Sequence, residues 1–193
     1  VRKGDFVESF DIDALRDALG KGQAEDVAQI VSIQVRTYGE ALRFCDRAEP
    51  QTELQAKFSL QHALAAICAY GTPQLQHYTE QACGDPLIAA WRSQVRVVED
   101  AACTARFPQH YGASVLVSLA DGRKLQAQRI DAWGDPEQPM RNSDVDAKAM
   151  ALARWGGVDA MLAHALIVQV RALTEGGSLD AFTELLSQVR PCH

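Results

Sequence analysis

The chain has 193 residues, of which 47% are hydrophobic, 23% charged and 7% aromatic, the balance of an ordinary globular protein and not of a disordered, collagenous or coiled-coil chain. Lys and Arg number 19 against 25 Asp and Glu, a net charge of −6, so no global basic field recruits nucleic acid. No run approaches the roughly 18 apolar residues of a membrane span, and no basic-then-apolar leader precedes the fold. The expected setting is the cytoplasm, with neither nucleic acid nor membrane as a partner. The chain opens at Val1 and not at Met, as a fragment or a processed chain does.

Ile12, Leu15 and Leu19 share one helical face, and Gly20 and Gly22 stop that helix. A strict alternation follows, with Val27, Gln29, Val31, Ile33 and Val35 on one side and Ala28, Ile30, Ser32 and Gln34 on the other; this predicts a strand. Arg43 to Glu53 is polar, contains Pro50 and reads as a loop. Leu60, Ala63, Leu64 and Ile67 fall at helical spacing within a buried helix from Ser59 to Ala69, which Gly71 and Pro73 end. Leu75 to Cys83 is a shorter helical piece, and Asp85 caps the next helix with Pro86 at its first position. Val95–Val98, Val115–Leu119 and Leu125–Ile130 are predicted strands, the last two joined by a hairpin at Asp121-Gly122. Trp133 to Asn142 holds two prolines and a glycine and is a loop. Beyond it the pattern is helical. Ser143 caps a first helix, Val158 to Leu166 carry the stripe of a second, and Ser178 caps a third after Gly176-Gly177. With no β-α-β alternation visible, the expected class is α+β: a small antiparallel sheet with helices over 1–140, then a helical segment over 141–193.

Most chemical motifs are absent. There is no phosphate-cradling glycine loop, no Gly-x-Ser-x-Gly elbow and no His-Glu-x-x-His. Cys45, Cys68, Cys83, Cys103 and Cys192 are widely spaced and odd in number, the pattern of free thiols in a reducing compartment. His62, His77, His110, His164 and His193 do not pair at ligand spacings, so no metal site is expected. One constellation carries chemistry: Lys57-Phe58-Ser59-Leu60-Gln61-His62. With Ser59 as cap, Lys57 lies just outside the helix and His62 at its third position. Free N–H groups and the helix dipole concentrate positive potential there, a seat for a small carboxylate. The same dipole opposes protonation of His62, leaving a neutral imidazole. The competing reading is structural: Ser59 caps, Lys57 is solvated, and His62 is an ordinary first-turn residue.

These residues also carry a resemblance. Glu53-Leu54-Gln55-Ala56-Lys57-Phe58-Ser59-Leu60-Gln61-His62-Ala63-Leu64-Ala65-Ala66 is similar to the "EAKFSLPYALA" segment of the MmgE/PrpD family, which includes 2-methylcitrate dehydratase, cis-aconitate decarboxylase and iminodisuccinate epimerase. Glu25-Asp26-Val27, Asp85-Pro86-Leu87-Ile88, Asp121-Gly122 and Gly134-Asp135-Pro136-Glu137-Gln138-Pro139-Met140, with Asp144 and Lys148 beyond, resemble further family segments in the family's order. The matches span about residues 11–155.

The resemblance implies a chorismate-mutase-like α+β small domain followed by helices that return to a larger helical domain, whose long N-terminal part is not among these 193 residues. It implies a lyase or isomerase working without metal or organic cofactor on small di- or tricarboxylic acids, by moving a proton next to a carboxylate. That chemistry requires cationic or hydrogen-bonding groups at the carboxylate and a positioned acid or base. His62 is the candidate catalytic residue, and Lys57, Ser59 and Gln61 the candidate substrate-binding residues. Family members often have tyrosine at the position of His62, and their "KxYPxCxxxH"-like stretch has no counterpart in residues 1–10 ahead of Ile12-Asp13-Ala14. Most family acid/base groups lie on the helical domain, so the isolated chain is expected to be inactive. The expected partners are a small carboxylic acid, where that domain is present, and a second copy in a homodimer. The alternative is a truncated homologue that serves as a binding or dimerisation module.

Overall fold

In the computed structural model, which describes residues 28–71 and 73–189, the alternation around Ile33 becomes β1 (Ile30–Thr37). The helix expected at Ile12–Leu19, the Glu25-Asp26-Val27 match and Cys192 lie outside the described residues. The chain divides into two compact units, 1–139 and 140–193.

In the first unit β1 is followed by α1 (Gly39–Cys45), α2 (Glu53–Lys57), α3 (Leu60–Tyr70), a 3-10 turn (Leu75–Tyr78), α4 (Glu80–Cys83) and α5 (Pro86–Arg92). Then come β2 (Val95–Glu99), α6 (Ala101–Arg106), β3 (Ala113–Leu119) and β4 (Lys124–Arg129). The four strands form one sheet in the order β2-β1-β3-β4. The α+β class stands, but the sheet is mixed: β1 pairs antiparallel with β3 and parallel with β2. The parallel pair escaped the pattern because its crossover is several short helices instead of one long one. Alternation of apolar and polar residues also reads the same for either strand direction.

The register aligns Val95 and Val97 with Ile33 and Val35, and these in turn with Val117 and Val115. Leu125 and Ala127 extend the same row on β4. This apolar face packs on Leu60, Ala63, Leu64 and Ile67 of α3. The opposite side of α3 supplies Ala65 and Ala66 to a second cluster with Ala82, Ile88 and Trp91. Thus α3 is enclosed on all sides from Leu60 to Ile67, and its early polar residues have no route to water.

One detail of β1 departs from the expected alternation. The pairing shifts between Ile30 and Ser32, so Val31 is an extra residue and is 53% exposed while Ile30 and Ile33 are both buried. A bulge of this kind switches the inward set by one residue. At the β3–β4 turn, Gly122 has φ +86°, a conformation that L side chains rarely adopt; Asp121 also accepts the Arg123 N–H at 2.9 Å. Helices α1, α2 and α6 appear where loops or nothing had been expected. They are five to seven residues long, too short for a periodic signal, and Asp100 starts α6 by accepting two backbone N–H groups.

The second unit is α7 (Asn142–Trp155), α8 (Ala160–Leu173) and α9 (Leu179–Leu186). Arg141 occupies the cap position of α7 and no side chain caps it, so Ser143 is not the cap expected. Asp159 and Ser178 cap the other two. Arg171 ties α8 to α7 through Asp146, at 2.6 Å, and the Asn142 carbonyl, at 3.0 Å. Neither α7 nor α9 has a buried residue, and α8 has only Ala163. Val145, Leu152, Trp155, Met161, Val168, Val170, Leu179 and Leu186 are all exposed.

The bulge makes a sharp comparison between two neighbours. Ile33→Ala is expected to cost about 2–5 kcal/mol as a core truncation, whereas Val31→Ala, two positions away, should cost less than about 1 kcal/mol. Urea unfolding of the two variants at neutral pH measures both.

Candidate functional site

The local chain at the candidate site folds as its residue types dictate. Thr52 caps α2 by accepting the Gln55 N–H, and Lys57 ends that helix with its ammonium 2.6 Å from Glu53 one turn earlier. Ser59 caps α3: its Oγ accepts the His62 N–H at 3.0 Å. The cap and the third-position histidine are thus where the sequence put them. Ser59 Oγ also donates to the Arg47 carbonyl at 2.5 Å. Gln61 Oε1 accepts the Arg47 N–H at 3.0 Å, and its Nε2 donates to the Asp46 carboxylate at 2.5 Å. Ser59 and Gln61 therefore fasten the segment between α1 and α2 against the start of α3.

His62 is fully buried. Its Nε2 lies 2.7 Å from the His77 carbonyl, and its Nδ1 lies 3.1 Å from Arg92 Nη1. A carbonyl can only accept and a guanidinium can only donate, so the ring carries its proton on Nε2 and offers a lone pair at Nδ1. Burial pushes the His62 pKa below 6.5; the His77 carbonyl opposes the shift, while the Arg92 guanidinium and the His77 ring add to it and Asp85 counters them. The neutral state expected from the helix dipole is present, but desolvation is its main cause. The Tyr78 ring lies 5.7 Å away, tilted across it.

Of the four sequence-derived candidates, three are therefore engaged with the protein's own backbone and side chains, and Lys57 is the one whose charged end reaches solvent. An open cleft lies on the other side of His77. Its walls include Tyr70, Gln76, His77, Thr79, Gln81 and Asp85. Tyr70 and His77 stack with centroids 4.9 Å apart. Tyr70 Oη donates to Asp85 at 2.5 Å, and this bond lowers the Asp85 pKa while raising that of Tyr70. Asp85 meanwhile caps α5, as its position before Pro86 predicts.

Sequence reasoning missed Arg92, His77 and the Asp46–Arg47 anchor. They stand 12 to 30 residues from their partners, and no local pattern encodes those pairings. Two other groupings are simpler. His110 Nδ1 meets Asp131 at 2.6 Å on the surface. Cys45, Cys68, Cys83 and Cys103 are free thiols, and burial pushes the Cys68 thiol up to about 12, which makes it unreactive. No group of His, Cys, Asp and Glu among the described residues is arranged to hold a metal ion, and no described helix is long and apolar enough to cross a membrane.

Ser59→Ala removes a cap and strands the Arg47 carbonyl, so it should lower stability by about 1–3 kcal/mol in chemical denaturation. The pH dependence has a definite sign. The folded state disfavours protonated His62 and, through its own burial, protonated His77. Their contribution is complete above about pH 6.5 and is lost as pH falls through 6.5 towards the lower folded-state values. The urea midpoint should accordingly drop between pH 7.5 and pH 5, and drop less in His62→Gln.

No curated protein matches the chain. The family model described as the MmgE/PrpD C-terminal domain matches residues 11–173, a span that contains all four strands, α1 to α8 and the Lys57–His62 segment. The chain belongs to the MmgE/PrpD family and carries its C-terminal domain.

Proposed function

We propose that this chain is the C-terminal portion of an MmgE/PrpD-type lyase or isomerase that acts on small di- or tricarboxylic acids by moving a proton beside a carboxylate. The observation that carries the reading is the family match over residues 11–173. The exposed apolar residues of α7, α8 and α9 support it further. Three helices with a single buried residue do not form a core by themselves, and returning helices of a larger helical domain have this character.

Within the reading, Lys57 supplies the cation that meets a substrate carboxylate once it leaves Glu53. An exposed pair of this kind is worth about 0–1 kcal/mol, so an incoming carboxylate competes with it readily. Ser59 and Gln61 set the end of α3 behind the lysine. His62 is the acid/base candidate. Its buried, neutral imidazole, with Nδ1 held by Arg92 and Nε2 by the His77 carbonyl, can reach substrate only if one of those contacts opens in the complete enzyme. Decarboxylation, dehydration and epimerisation share the carbanion-like intermediate that such groups stabilise.

The exposed apolar helices also favour a second reading, in which the chain is a non-catalytic homologue that pairs with another copy. Light scattering tests this second reading: a strictly monomeric chain argues against it. The activity test uses the chain alone and the chain joined to a family helical domain. The chain alone should turn over neither 2-methylcitrate-like nor iminodisuccinate-like acids. The joined protein should be active, and Lys57→Ala should reduce its kcat/KM at least about tenfold, the effect of losing one contact of about 1.4 kcal/mol. An unchanged kcat/KM for both Lys57→Ala and His62→Ala would remove these residues from the site.

A further inference from the structure

One nitrogen of Arg92 does two jobs. Nη1 donates to His62 Nδ1 at 3.1 Å and to the Cys83 carbonyl at 3.0 Å. The Cys83 carbonyl ends α4, a helix of four residues that is too short to hold itself. Ala82 and Cys83 of α4 are buried in the two apolar clusters, and apart from that packing its other side-chain tethers are modest. Thr79 Oγ1 accepts the Ala82 N–H at 3.3 Å, and the Cys83 thiol lies 3.7 Å from the Thr52 carbonyl. Thr79, Gln81, Ala82, Gly84 and Asp85 of this same stretch line the cleft beside Tyr70.

We propose that His62 and Arg92 form an acid-released latch, in which protonation of His62 detaches Arg92 from the Cys83 carbonyl and frees residues 79–85 along the wall of the cleft. Adding a proton to Nδ1 turns an acceptor into a donor and places two donors, both cationic, 3.1 Å apart. The Nε2–H bond to the His77 carbonyl survives, so the ring stays in place and the guanidinium must leave. Arg92 is only half-buried and can swing to water, taking Nη1 away from both partners. The charged and titratable groups facing the ring are Arg92 and Asp85 from α5 and its cap, and the His77 ring from the 3-10 turn. Arg92 and His77 resist the proton, while Asp85 favours it. Asp85 is itself secured by Tyr70 and by the Leu87 and Ile88 N–H groups, so release begins at Cys83 and not at the α5 cap. Histidine suits the arrangement because its neutral ring accepts at one nitrogen while donating at the other, and its charge change ordinarily falls within mildly acid pH.

Amide hydrogen exchange of the 193-residue chain at pH 7.5 and 4.5, corrected for intrinsic rates, tests the latch. Exchange in 79–85 should rise about tenfold or more at pH 4.5 while β1 and β3 stay protected. His62→Gln, which stays neutral, should abolish the rise, and His77→Asn should keep it. The proposal is overturned if the rise is absent, if it persists in His62→Gln, or if β1 and β3 lose protection to the same degree. Should His62→Gln fail to fold, nitrogen-15 spectra of His62 in the unaltered chain decide instead. The ring should be the Nε2–H form at pH 7.5, and its protonation midpoint should coincide with the exchange midpoint of 79–85. Separate midpoints would sink the latch.

Discussion

The enclosure of α3 is the constraint on which the first unit depends. From Leu60 to Ile67 the helix is buried against the sheet on one side and against α5 on the other. Burial of this kind is favourable for Leu60, Leu64 and Ile67, at roughly 1.5–3 kcal/mol for each large side chain. It is costly for Ser59, Gln61 and His62 unless every polar atom finds a partner. The fold meets that demand by bringing three distant segments to the helix: Asp46–Arg47 to Ser59 and Gln61, the His77 carbonyl to one edge of His62, and Arg92 to the other. The loops are thereby placed by the polar requirements of a buried helix as much as by their own preferences.

This explains why the candidate constellation has two characters at once. The features that make a helix N-terminus a seat for an anion are present, with a cap, a lysine and a neutral imidazole. Yet the N–H of His62 is already satisfied by Ser59, and both ring nitrogens are occupied. The chemistry open to solvent has moved outward, to Lys57 on one side and to the Tyr70–His77–Asp85 cluster on the other. His62 links these regions, because its Nε2–H holds the carbonyl of a residue whose ring lines the cleft.

The second unit presents the opposite case. Its helices are well capped at Asp159 and Ser178, and Arg171 links α7 with α8. Local signals sufficed to form them. What they lack is a buried core, and sound helices with exposed Leu, Val, Trp and Met residues are complete as secondary structure but not as tertiary structure.

What could be read from residue order alone was short-range. The caps at Ser59, Asp85 and Ser178 and the turn at Asp121-Gly122 rest on contacts within four residues, and the stripe of α3 shows in its spacing, so residue type and spacing were enough to read them. The family resemblance around Lys57–His62 was legible for the same reason, being carried by contiguous segments. The parallel pairing of β2, the bulge at Val31 and the partners of Ser59, Gln61 and His62 were decided only by the tertiary structure. Alternation does not encode strand direction, and a bulge is set by what must pack on the sheet. Arg92 reaches His62 from 30 residues away because α5 lies against α3, a consequence of packing that no local pattern records. The sequence determined which groups need partners, and the packing of α3 decided which groups serve.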